Sequence, residues 1–110
     1  MVGQPRKVIA SRQYETHLIE ILEYGILTFG FQQARKYLNT ILHTVERLDI
    51  DYPFHPECRF LETKSRRYRN IILDSHLIIY RITDEAIEVL DIIHAASAIS
   101  KIRSTRKIHL

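Results

Sequence analysis

The chain has 110 residues, 45% of them hydrophobic and 26% charged, with a formal net charge of +3. That length allows one domain with a modest core and is too short for two, and the composition is that of a folded protein rather than a disordered one. One cysteine, Cys58, excludes an internal disulfide and fits a reducing compartment. No apolar run approaches membrane-spanning length and the first residues lack a signal-peptide core, so a cytoplasmic protein is expected.

Taken in order, Lys7-Val8-Ile9-Ala10-Ser11 is short and β-branched and predicts a first strand that joins the sheet formed later in the chain. Ser11 is placed to cap a helix. From Gln13 to about Phe29, Tyr14, Leu18, Ile21 and Leu22 recur at helical spacing, and Gly30 marks the stop. A second helix, about Gln32 to Leu48, carries Ala34, Leu38, Ile41, Val45 and Leu48 on one stripe. So short a connection folds the two back as an antiparallel hairpin whose joint apolar face needs a sheet. Asp49–Glu57, with two prolines, reads as a loop, and residues 59–66 stay open between a strand start and a helical turn.

Residues 68–94 hold three runs rich in Ile, Leu, Val and Tyr, separated by Asp74-Ser75 and Asp84-Glu85. They predict a meander of Arg67–Leu73, His76–Thr83 and Ala86–His94. Counting from two-residue turns pairs Ile71 with Ile78, Arg69 with Tyr80, Arg81 with Glu88 and Tyr80 with Val89. Alternation then puts Ile71, Ile78, Tyr80, Ile82, Val89 and Ile93 on one face, beneath the helical hairpin. The other face carries Ile72, Leu77, Ile79, Leu90 and Ile92, too apolar to stay bare, and is expected to hold a partner. Asp91 falls among apolar neighbours and wants a partner, for which Arg69 is the candidate. Arg81 and Glu88 read as a structural pair.

Charge is uneven. Residues 59–69 carry Arg59, Lys64, Arg66, Arg67 and Arg69 against Glu62 alone, and the last ten residues carry Lys101, Arg103, Arg106 and Lys107 with no acid. Such patches suit an anionic partner, nucleic acid or an acidic protein segment, and equally a solubilising surface. No aromatic residue interleaves the tail to stack on bases. The segment after His94 is expected to be helical or to order on a partner. The histidines show no metal-ligand spacing and no phosphate-binding glycine loop is present, so neither metal nor cofactor is expected. Cys58 reads as buried rather than nucleophilic, and His94 as a hydrogen-bonding residue at the sheet edge rather than a general base.

The run Tyr68-Arg69, then His76-Leu77-Ile78-Ile79-Tyr80-Arg81-Ile82, Ile87-Glu88-Val89-Leu90 and Ile92-Ile93-His94 resembles the RelE/ParE superfamily of bacterial toxins, and the likeness covers nearly the whole chain. It implies an α+β fold in which an N-terminal strand and helical hairpin pack on a C-terminal meander. Residues 1–96 would be the toxin domain and 97–110 a basic tail. It also implies neutralisation by a cognate antitoxin, in a hetero-oligomer, through Ile72, Leu77, Ile79, Leu90 and Ile92. RelE-like members cleave mRNA on the ribosome, whereas ParE-like members block DNA gyrase. At the positions where RelE has two arginines and a tyrosine, this chain has Leu77, a residue near Ala96 and one near Ile102, so the resemblance favours inhibitory binding. A nuclease reading would rest on Arg69, Arg81 and His94, and a third reading is an inactive relative kept as an interaction partner. Contact with a target or nucleic acid would fall to Arg66, Arg67, Arg69, Lys101, Arg103, Arg106 and Lys107.

Overall fold

Ser11 does two things at once in the computed structural model, which describes residues 5–110. Its hydroxyl oxygen accepts from the Tyr14 N–H (2.9 Å), capping α1 (Arg12–Phe29), and its O–H donates to the Leu90 carbonyl (2.6 Å). The start of the helix is thereby tied to the sheet. Gly30, at φ +91°, lets its N–H cap α1 through the Ile26 carbonyl while the chain reverses into α2 (Phe31–Glu46). Gly25 lies inside α1, where a Cβ would meet the Ala34 Cβ at 3.2 Å, so its lack of a side chain lets the two helices close together.

The expected loop from Asp49 is more ordered than its prolines suggest. It begins with a short helix, α3 (Leu48–Asp51), and a 3-10 turn (Tyr52–Phe54). Leu48 and Tyr52 are buried in the core, and the Tyr80 hydroxyl donates to the Tyr52 carbonyl at 2.7 Å.

Four strands follow the order β1-β4-β3-β2: β1 (Lys7–Ala10), β2 (Tyr68–Ile72), β3 (His76–Ile82) and β4 (Ala86–His94). The meander is antiparallel, and β1 joins it parallel to β4, with Lys7 beside Ala86 and Ala10 beside Val89. The register of β2 on β3 is as counted from the turn, and so is β3 on β4 as far as Tyr80↔Val89. The ladder then skips Leu90: Ile79 faces Asp91, Ile78 faces Ile92 and Leu77 faces Ile93. This bulge exchanges the faces of the residues beyond it. Ile92, expected on the partner-binding face, belongs to the helix-side core, and Ile93 takes the opposite side.

The helices cover one face of the sheet, where Tyr14, Ile41, Leu48 and Tyr52 meet Ile71, Ile78, Tyr80, Ile87, Val89 and Ile92. The second face is covered by the chain itself. The segment after β4 forms α4 (Ile99–Ser104) and a 3-10 turn (Thr105–Lys107), and Ile102 packs with Cys58, Leu61, Tyr68, Ile79, Leu90 and Ile93. Arg81 clamps this segment down, donating to the carbonyls of Ile108 (3.1 Å) and Arg106 (3.4 Å) while paired with Glu88 at 2.7 Å. Burial disfavours its charge, but the Tyr68 hydroxyl and the Glu88 carboxylate more than compensate and raise the guanidinium's pKa. The result is three layers: helices, sheet, and a thinner cover of loop and tail.

Candidate functional site

The apolar groove expected on the second face is not open. Ile79 and Leu90 are fully buried beneath Cys58, Leu61 and Ile102, Leu77 is partly covered, and Ile92 lies on the other face. Of the five residues only Ile72, 67% exposed near the β2–β3 turn, presents itself to a partner. The physical reason is that residues 97–110 carry their own apolar side chains, Ile102 and Ile108, and bury them here.

Arg69, Arg81 and His94 are not brought together. Arg69 lies opposite Tyr80 and spends its guanidinium on main-chain carbonyls, those of Arg66 (2.7 Å), His55 (2.9 Å) and Pro53 (3.0 Å). Arg81 is on the opposite face. His94 pairs with His76, five residues from Arg81 along β3, roughly 16 Å away at the usual strand rise. Acid–base catalysis needs groups within about 3 Å of the atoms they serve, and these three do not share such a centre.

Asp91 finds its partners on α1 rather than in Arg69. The carboxylate is 1% exposed and accepts from Gln13 Nε2 (2.8 Å) and the Ile92 N–H (2.8 Å), with His17 Nδ1 at 2.6 Å. Cys58 is buried, which pushes its thiol up to about 11 with Glu57 adding to the rise, so it stays protonated at neutral pH. At the far end of the sheet the His76 ring lies between Tyr37 (hydroxyl to Nδ1, 2.8 Å) and His94 (ring centres 5.7 Å apart). Burial, then the neighbouring His94, lowers its pKa. Among the described residues, no three His, Cys, Asp or Glu side chains gather as metal ligands, and no helix is long and apolar enough to cross a membrane.

Two surfaces remain. The first is the closed end of the helical hairpin, where Tyr24, Leu27, Phe29 and Phe31 are 60% or more exposed and Leu27 reaches 88%. Phe29, Phe31, Lys36 and Tyr37 line an open groove there of about 800 Å³. Its signal in the sequence was the run Ile26-Leu27-Thr28-Phe29-Gly30-Phe31, apolar all round where a core-facing helix needs one stripe. The second is basic. Arg67, Lys101, Arg103, Arg106 and Lys107 are exposed, and Arg66 is exposed but paired with Glu57 at 3.4 Å. Arg59 belongs with them: its guanidinium and that of Arg103 both lie over the Phe60 ring, at 5.5 and 5.8 Å.

A family model described as the ParE toxin of type II toxin–antitoxin systems, parDE, matches residues 8–99. A solved chain of the chromosomal ParDE TA system from P. aeruginosa superposes with a TM-score of 0.68. That match covers 84% of this chain and 98% of the other at 18% identity, a likeness of fold. No curated protein matches the sequence.

Proposed function

Because the chain belongs to the ParE toxin family of type II toxin–antitoxin systems, we propose that it arrests growth by binding a target and is held inactive by a cognate antitoxin. In the reading favoured here the target is DNA gyrase. The observation that supports binding over RNA cleavage is the dispersal of Arg69, Arg81 and His94. One arginine is tied to three carbonyls, one is clamped between Glu88 and the tail, and the histidine stands at the opposite end of β3. A metal-free phosphodiester cleavage needs a base, an acid and cations converging on one phosphate.

In this proposal the antitoxin docks on the hairpin end. Tyr24, Leu27, Phe29 and Phe31 fall within eight residues and are left to solvent, beside the groove that reaches Tyr37. An amphipathic segment laying its apolar side chains there would remove that surface from water. The alternative is an antitoxin strand that lifts the tail from the second face and seats itself over Ile79 and Leu90.

Two substitutions separate these placements. Leu27→Asp with Phe31→Asp should abolish capture by the antitoxin while far-UV circular dichroism stays unchanged; Leu77→Asp should leave capture intact. The reverse pattern would move the antitoxin to the tail-covered face. For the target, expression of the chain alone should slow growth with loss of plasmid supercoiling and intact transcripts. Cleaved transcripts with normal supercoiling would reject the gyrase reading.

A further inference from the structure

Folding of the C-terminal segment onto the sheet merges two basic stretches that the sequence keeps apart. Residues 57–67 and 97–110 together hold eight Lys and Arg against two Glu, a net of +6 in a chain whose total is +3, so the remainder sums to −3. The merger is direct. Arg59 and Arg103, 44 positions apart, share the Phe60 ring, and Arg67 and Arg81 lie over Tyr68 at 5.9 and 5.8 Å. Arg81 in turn bonds the carbonyls of Arg106 and Ile108. Of the acids nearby, Glu57 is matched by Arg66 and Glu88 by Arg81, which leaves Glu62 alone against seven exposed cations: Arg59, Lys64, Arg67, Lys101, Arg103, Arg106 and Lys107.

We infer that this face is a binding surface for the phosphate backbone of duplex DNA, distinct from the apolar hairpin end. A protein partner of ordinary kind buries aromatic and aliphatic side chains at its centre; the most exposed of these, Tyr24, Leu27, Phe29 and Phe31, lie at the hairpin end, while residues 57–67 and 97–110 expose only Ile99 and Leu110, each about half-exposed. Single strands are held by bases stacking on free aromatic faces. Phe60 and Tyr68 are half-buried or buried, and guanidinium groups lie over both rings. What remains is an array of positive charge fixed in position. Arg59 and Arg103 are held at most about 11 Å apart by their common ring, close enough for both to reach the phosphates of one duplex. Such a surface reads charge and shape without sequence.

The test uses the full chain and a fluorescent 20-base-pair duplex of arbitrary sequence, followed by anisotropy. With about four phosphates contacted, log K falls with log salt at a slope of ~ −3.6, a loss of roughly a hundredfold between 50 and 200 mM salt. Lys101→Glu with Arg106→Glu should weaken binding at least tenfold; neither side chain packs on Phe60, so the tail stays seated. Arg103→Glu should do the same, and Arg103→Lys should retain most of the affinity. Binding that is absent at 50 mM salt, or unmoved by both charge reversals, overturns the inference. So does tighter binding of single-stranded RNA of equal length, or displacement of the duplex by poly-glutamate at equal charge, which would assign the face to an acidic protein. None of these readouts involves growth arrest or antitoxin capture.

Discussion

Replacing Asp91 by alanine removes the acceptor at the centre of the contact between α1 and β4. Three donors meet that carboxylate: Gln13 Nε2, His17 Nδ1 and the Ile92 N–H. Gln13 is exposed and the His17 side chain is 29% exposed, so both can turn to water, but the Ile92 amide sits in the core and cannot. A stranded buried donor costs about 1–3 kcal/mol, and the lost hydrogen bonds to a charged acceptor add to it; relief of the carboxylate's own desolvation subtracts. The net expectation is a loss of about 2–4 kcal/mol, or a fall in Tm on the order of 8–16 °C for a domain of this size. His17→Ala should cost less, about 1–2 kcal/mol, because Gln13 and the amide still serve the carboxylate. Urea unfolding of both single variants and the double variant at pH 7 gives the coupling directly, expected at 1 kcal/mol or more. A cost of under about 0.5 kcal/mol for Asp91→Ala, or independent effects, would refute the reasoning and leave the bulge to be explained by packing alone.

The Tyr14 hydroxyl is buried without a hydrogen-bond partner among the described residues, and burial, with Glu15 adding, pushes its pKa up to about 12. Tyr14→Phe should therefore stabilise the fold by roughly 1 kcal/mol, read as a higher urea midpoint. Ile102→Ala should cost about 2–3 kcal/mol and loosen the tail, so that Cys58 reacts with a thiol reagent at least tenfold faster; an unchanged rate would mean that Leu61 and the loop alone shield the sulfur. Burial lowers the pKa of both His76 and His55 from 6.5; His94 adds to the first, while Asp51 opposes and Arg69 adds to the second. An imidazole of this kind takes its proton more readily in the unfolded chain. Stability is complete above 6.5 and falls as the pH drops toward the folded-state value. The urea midpoint should thus decrease from pH 7.5 to pH 5.5, and His76→Gln should flatten that decrease.

Most of the architecture was legible because its signals are local. Ser11 and Gly30 bracket α1, and the pairs Asp74-Ser75 and Asp84-Glu85 set the register of both hairpins. The bulge at Leu90 was not legible, since counting from a turn assumes an unbroken ladder. Just past it Asp91 meets Gln13 and His17, a contact across more than seventy residues that no local pattern announces. Arg69 was misread for a similar reason. Its partners are carbonyls of the loops that pass the β2 edge, and main-chain acceptors carry no mark in a sequence. The tail did leave a mark: Ile99, Ile102, Thr105 and Ile108 recur every third residue, and Ile102 and Thr105 are the buried ones. That period is the face of a short helical segment, and it makes residues 97–110 a seat on the sheet rather than a free arm.

The parallel pairing of β1 with β4 joins the earliest and the latest parts of the sheet to be synthesised. Lys7–Ala10 has no ladder until residues 86–89 exist, 79 positions further along the chain. A nascent chain therefore cannot complete its sheet before β4 has been made, and closing so long a loop carries an entropic cost that slows folding relative to a fold of local contacts. For a member of a toxin family this amounts to a delay written into the order of its strands: the sheet closes only once β4 has been made.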